Sequence, residues 1–391
     1  MGYLTRCLLA TSILGLSASA LADDHGERKF AFVQTNLVSN LPGVALHQDP
    51  ALLNAWGVVF PPGGSFWVNG NNAGVVQLYD GQGVANTQLP SVTIPQPPLP
   101  HRADITGKTS TPTGALWNPS GGFALPGTSA AAIFLFDSED GTITAWNPAV
   151  SLTNAVIAVD NSNTGTGGAV YKGLAFGLTA TGPHLYATNF RAGTVDVFDA
   201  AFAGNLVDGA VPNATTKTNI TGTFTDSRLP AGFAPFGIQN INGDIYVSYA
   251  QQDQPKHDPV AGKHLGFVDV FSTDGVLLQR LAAGGSLNAP WGMVQAPASF
   301  GQFGGDILVG NFGDGRINIY SPDGDFLDQL EGTNGKPLVN DELWALIFGG
   351  GANSTPDTLY FSAGPEGETN GLFGTIVPKQ VDDNGGGDDK H

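Results

Sequence analysis

The chain has 391 residues, of which 41% are hydrophobic and only 13% charged, about half the usual globular share of roughly 25%. That balance excludes a disordered chain and a coiled coil. The formal net charge of −18 repels phosphates and anionic lipid, so no nucleic acid is expected as a partner.

Residues 1–22 read as a secretory signal peptide: Arg6 is the positive start, Cys7 to Leu16 the apolar core, and Ala20-Leu21-Ala22 the cleavage site. The apolar run is too short to span a bilayer, which takes about 20 residues, so no membrane span is expected after cleavage before Asp23. Cys7 is the only cysteine, and its removal leaves a mature chain without disulfides or thiolate sites. A secreted protein, periplasmic or extracellular, follows from this reading.

From Phe30 to Val38 runs a β-like segment with no local partner, and after it one unit recurs six times. The fifth copy is the clearest: Pro290 to Val294, Asp306 to Asn311, Arg316 to Tyr320, an Asp323-Gly324 turn, then Phe326 to Leu330. Short β-branched or aromatic runs separated by turn residues describe a four-stranded meander. The other copies start at Ala55-Trp56-Gly57, Gly114-Ala115-Leu116-Trp117, Lys172-Gly173-Leu174, Pro235-Phe236-Gly237 and Leu343-Trp344-Ala345. The expected fold is all-β, a six-bladed β-propeller of four-stranded antiparallel blades over residues 23–380.

The sixth copy lacks a fourth strand, so the N-terminal strand is expected to complete it, close the ring and cover an exposed edge. Gly57, Gly173, Gly237 and Gly292 fall on innermost strands, where a side chain would meet a neighbouring backbone. The nearby Trp56, Trp117, Phe236, Trp291 and Trp344 are expected to pack between adjacent blades. Residues 381–391, rich in Asp and Gly, have nothing to bury and should be a disordered tail.

In such a blade, the loop leading into the first strand and the loop joining the second to the third emerge on one face. The polar residues collect there. The candidate ligand-binding set is Asn54, Glu139, Asp140, Asn189, Gln251, Asp253, His257, Asn288, Asn311, Asp314, Glu342 and Glu368. Asn54, Asn189, Asn288 and Asn311, with Glu342, form the inner-rim constellation to test first. Carboxylates and carboxamides around a channel are the ligands calcium takes, six to eight per ion, so calcium is the cofactor considered. Each Asn or Asp singly is also what a hairpin turn requires. His47, His101, His257 and His264 lie in the same loops without zinc-ligand spacing. No nucleophile elbow, P-loop or dinucleotide fingerprint is present, and the sequons at Asn213, Asn219 and Asn353 carry no weight.

Ile307 to Asn311 followed by Arg316 to Tyr320 resembles an NHL-type propeller repeat. Asp49-Pro50 through Trp56-Gly57, Ser138 to Ile143, Tyr171 to Ala175, Tyr249 to Asp253, Val309 to Gly315 and Gly371 to Gly374 resemble a family of exported bacterial propellers catalogued as conserved hypothetical. The resemblance implies a fold and an export route but no reaction. Six-bladed relatives of the lactonase kind imply a Glu, Asn and Asp calcium site at the channel mouth.

The function expected is a secreted monomeric binding module whose polar face holds a small molecule, a glycan or a protein. The alternatives are a calcium-assisted hydrolase of the lactonase or esterase type, and an envelope scaffold recognisable by a channel mouth plugged with Trp and Phe.

Overall fold

The structure, a computed structural model, describes residues 30–99, 104–107, 109–163, 167–204 and 220–381. The expected signal peptide with Cys7, His101, Arg102, Asn213, Asn219 and the tail after Val381 lie outside the described residues. Among these residues the secondary structure is β-strand with two short 3-10 turns. The strands form six antiparallel sheets arranged as the blades of a propeller.

Blade 1 has strands Ala55–Val59, Phe66–Gly70, Val75–Tyr79 and Ser91–Thr93, and blade 2 has Pro112–Trp117, Phe134–Ser138, Thr142–Trp146 and Val156–Asp160. Blade 3 shows Tyr171–Thr179, Gly182–Asn189 and Thr194–Asp199. Blade 4 has Phe233–Ile241, Asp244–Gln252, Phe267–Phe271 and Leu277–Ala283. Its second strand also pairs with Pro259–Val260, at the end of a long loop. Blade 5 has Pro290–Gln295, Ile307–Asn311, Ile317–Tyr320 and Phe326–Gln329.

Blade 6 takes Leu343–Phe348, Leu359–Ala363 and Leu372–Gln380 from the end of the chain and Phe30–Ser39 from its beginning. Phe30 pairs with Gln380 and Ser39 with Leu372, so the N-terminal strand closes the ring as the unpaired sequence segment predicted.

All six inner strands carry a register shift at the same place, spanning Trp56-Gly57, Thr113-Gly114, Lys172-Gly173, Phe236-Gly237, Trp291-Gly292 and Trp344-Ala345. A bulge leaves backbone groups unpaired and re-aims a side chain. A polar side chain of the second strand supplies the lost partner: Ser248 Oγ accepts from Gly237 N at 2.9 Å, and Ser362 Oγ accepts from Ala345 N at 3.0 Å. In blade 2 a carboxylate does this, with Asp137 Oδ1 accepting from Gly114 N at 2.6 Å. Burial pushes the Asp137 carboxyl up to about 7 despite these bonds.

Among the described residues six apolar cores lie between neighbouring blades, for example Trp67, Phe134, Phe136 and Trp146 between blades 1 and 2. A seventh lies on the axis. Trp56, Phe236, Trp291 and Trp344 come from blades 1, 4, 5 and 6, and meet Phe190 and Phe312 from the loops of blades 3 and 5. Trp56 stacks on Trp344 with ring centroids 3.4 Å apart and meets Trp291 edge-on at 6.3 Å. Blades 1 and 5 are not neighbours, so that contact crosses the channel. These four aromatics, expected between blades, instead fill the axis: the bulge turns the first of its two residues out of the inter-blade layer and into the channel. Trp117 does pack between blades 1 and 2.

Candidate functional site

Lys172, in the bulge of blade 3, points its side chain into the axis above the aromatic plug. Its ammonium is 5.3 Å from the centroid of the Trp56 ring and 6.0 Å from that of Phe190. The side chain is only 1% exposed, and an unpaired buried ammonium would cost several kcal/mol. It is paired instead: Nζ donates to Glu139 Oε1 from blade 2 and, at 3.2 Å, to Asp258 Oδ1 from the long loop of blade 4. Burial alone would lower the Lys172 pKa, but Glu139 and Asp258 outweigh it and raise it above the usual lysine value.

The surrounding loops tie into this pair. Glu139 Oε2 accepts from Asn71 Nδ2 of blade 1 at 3.1 Å. Asn54 Nδ2 donates to Glu368 Oε2 of blade 6 at 2.9 Å, and Asn54 Oδ1 accepts from the Trp344 indole at 2.9 Å. Asp253 Oδ1 accepts from the backbone N–H of His257 and of Asp258, at 2.8 and 3.2 Å, and so shapes the turn that presents them. His257 Nδ1 in turn lies 2.8 Å from Asp258 Oδ1. Burial works against the Asp258 charge, yet the His257 and Lys172 contacts hold its carboxyl well below the usual range.

Glu368 behaves in the opposite way. Burial, aided by the charges of Glu139 and Asp258 and opposed by Lys172 and Asn54, pushes its carboxyl up to about 7. A folded-state pKa above the unfolded one favours the fold fully below about 4.5, and that contribution is lost as pH rises through about 7. Glu368→Gln should therefore flatten part of the fall in thermal midpoint between pH 4.5 and 7, measured by calorimetry on both proteins. An unchanged slope would mean that Glu368 titrates normally.

Beside the plugged axis lies a pocket of roughly 200 Å³, bordered by Asp104, Thr106, Thr109, Thr111, Glu139, Asp140 and His257. Asp140 accepts from Ser110 Oγ at 2.7 Å and Thr111 N at 3.2 Å, and burial raises its pKa. Asp104 pairs with Arg191 at 2.6 Å, which pins this wall to blade 3.

Of the sequence-derived residues, Asn54, Glu139, Asp140, Asp253, His257 and Glu368 converge on the mouth. Within the inner-rim constellation Asn288 N–H donates to Asn311 Oδ1 at 3.1 Å, while the amides otherwise turn to other partners. Asn189 binds Asp196 and the local turn, Asn288 accepts from Gly262 N, and Asn311 bonds Ser286 O and Asp314, so each serves as a loop brace. Gln251 lies in the strand pair with Val260, and Glu342, at φ 51°, is raised in pKa by burial and by Asp341. Sequence reasoning missed Lys172, Asp258 and Asn71. The available signal was a charged residue at a position where four other copies carry an aromatic.

Glu139, His257 and Asp258 are the one described group of three that could approach an ion together, their ligand atoms lying within 4.8 Å of one another. Calcium wants six to eight free oxygens. Here Glu139 is engaged by Lys172 and Asn71, Asn54 Oδ1 by the Trp344 indole, and an ammonium stands among the carboxylates. These residues do not fit a calcium cage.

Fold and site together define a six-bladed propeller with a plugged axis and a polar, ion-paired mouth. No family model matches the chain. It is 32% identical over 354 residues to an uncharacterised protein of Acanthamoeba polyphaga mimivirus, covering 88% of this chain and 85% of that one. A second uncharacterised protein of the same virus is 31% identical over 353 residues, covering 88% and 80%. The chain belongs to the family of these proteins. Among solved structures it is similar to an auxiliary nutrient binding protein from Bacteroides thetaiotaomicron, with a TM-score of 0.51 and 11% identity over 90% of this chain and 78% of that one, a likeness of fold.

Proposed function

We propose that the chain is an exported binding propeller that takes a small, polar, positively charged ligand in the pocket beside its plugged axis. One observation carries this reading: the pocket is walled by Glu139, Asp140 and Asp104 together with the hydroxyls of Thr106, Thr109 and Thr111. Carboxylates and hydroxyls accept hydrogen bonds from an ammonium and its neighbouring hydroxyl groups. At roughly 200 Å³ the pocket falls below the ~300–1,000 Å³ of drug-sized sites, which favours a ligand the size of an amino sugar or short amine. The signal-like residues Arg6 to Ala22 support export.

Binding is favoured over metal-assisted hydrolysis because Lys172 already meets the carboxylates that a metal would need. The Trp and Phe plug speaks for a scaffold only as regards the channel itself, since the pocket lies to one side of it.

The test is calorimetry of the exported protein with glucosamine, glucose and gluconate at low and high salt, with its N-terminus read by mass. Glucosamine should bind, more weakly at high salt, to a chain starting at Asp23. Asp140→Asn should cost about tenfold in affinity, the worth of one charged hydrogen bond. Preference for gluconate, or no binding by any of the three, would overturn the ligand class.

A further inference from the structure

We infer that Lys172 is the resident cation of the propeller mouth, a tethered ammonium that organises loops from blades 2, 4 and 6 in the way a bound metal ion would. The proposal is independent of which ligand the neighbouring pocket takes.

Three observations lead to it. The first is convergence: Glu139, Asp258 and Glu368 come from three blades, and all three act on the Lys172 ammonium, two of them by direct contact. Carboxylates crowded in this way repel each other unless a cation lies among them. The second is position. In the equivalent bulges of blades 1, 4, 5 and 6 the axial residue is Trp56, Phe236, Trp291 or Trp344, so packing alone would be met by an aromatic, and a charge at this place answers to the carboxylates. The third is the ligand set, because Glu139, His257 and Asp258 are grouped closely enough to hold one ion if the ammonium left. Imidazole with two carboxylates is a set that zinc accepts.

Lys172→Met keeps the length of the side chain and removes its charge. Its thermal midpoint should fall by about 5–10 °C, the consequence of breaking a buried pair in a chain of this size. Zinc(II) should then raise the midpoint of Lys172→Met and leave the wild type unchanged, and adding His257→Ala should abolish the zinc response. A generic packing role for Lys172 would produce no such rescue. Should Lys172→Met fail to fold, Lys172→Met/Glu139→Gln, which removes both charges, should fold again, and its failure would count against the proposal.

The inference is overturned if the wild type loses stability to a chelator or gains it from zinc. It is equally overturned if Lys172→Met keeps the wild-type midpoint, or folds and ignores zinc. Glucosamine titration of the wild type, which contains no added metal, reports on the ligand reading separately.

Discussion

Gly237→Ala is expected to be among the most damaging single-methyl additions in this protein, lowering stability by about 3 kcal/mol or more, at the upper end of overpacking costs. A Cβ at residue 237 would lie 2.1 Å from the carbonyl oxygen of Trp291 and 2.8 Å from Ser248 Oγ. The first obstacle is backbone of the neighbouring inner strand, so no rotamer change relieves it. Inner strands are drawn together by the ring, and blade 4 would have to withdraw from blade 5 across the bulge. Gly173→Ala is the internal control. It sits in the equivalent bulge of blade 3, where the nearest atom to a new Cβ is 3.3 Å away, and it should cost far less. Chemical denaturation of the two variants measures the contrast. Equal losses would mean that strand propensity, not the approach of the neighbouring blade, selects glycine here.

Trp344→Ala should lose about 3–5 kcal/mol, the usual range for deleting a buried large aromatic. Trp344 is fully buried at the centre of the plug, stacked on Trp56 and packed against Phe312 with centroids 4.5 Å apart. Its removal would leave a void on the axis and also strip Asn54 Oδ1 of its indole donor, loosening the carboxamide that holds Glu368. Trp344→Phe separates the two effects. It keeps a ring in the plug and loses the hydrogen bond, so it should cost only about 1–2 kcal/mol while still disturbing the mouth. Denaturation midpoints followed by tryptophan fluorescence read both variants. A midpoint for Trp344→Ala close to that of the wild type would show that the axis does not contribute to holding the blades together.

The repeat made the architecture legible because each blade is locally encoded: alternating strands and tight turns, with an inner-strand glycine in five of the six, recur at a readable period. Closure by Phe30–Ser39 could also be read, as a strand in search of a partner and a sixth blade short of one. The candidate site was legible only in part. Asn54, Glu139, His257 and Glu368 stand out because polar loops share one face, but the same rule also admits Asn189, Asn288 and Asn311, whose amides are consumed by bracing their own or neighbouring loops. Composition cannot tell a brace from a ligand group, since both are an Asn at a turn.

Blade number, strand order and the face that carries the polar loops belong to the sequence, because they follow from patterns repeated within a few dozen residues. Which side chains cross the axis does not. The two-residue bulge turns Trp56, Phe236, Trp291 and Trp344 inward instead of between blades and brings Lys172 to carboxylates from blades 2 and 4, encounters between residues far apart in the chain. A bulge shifts side-chain direction by one residue without altering the hydrophobic pattern, so only the closed ring decides what fills the centre and what is left to bind at its rim.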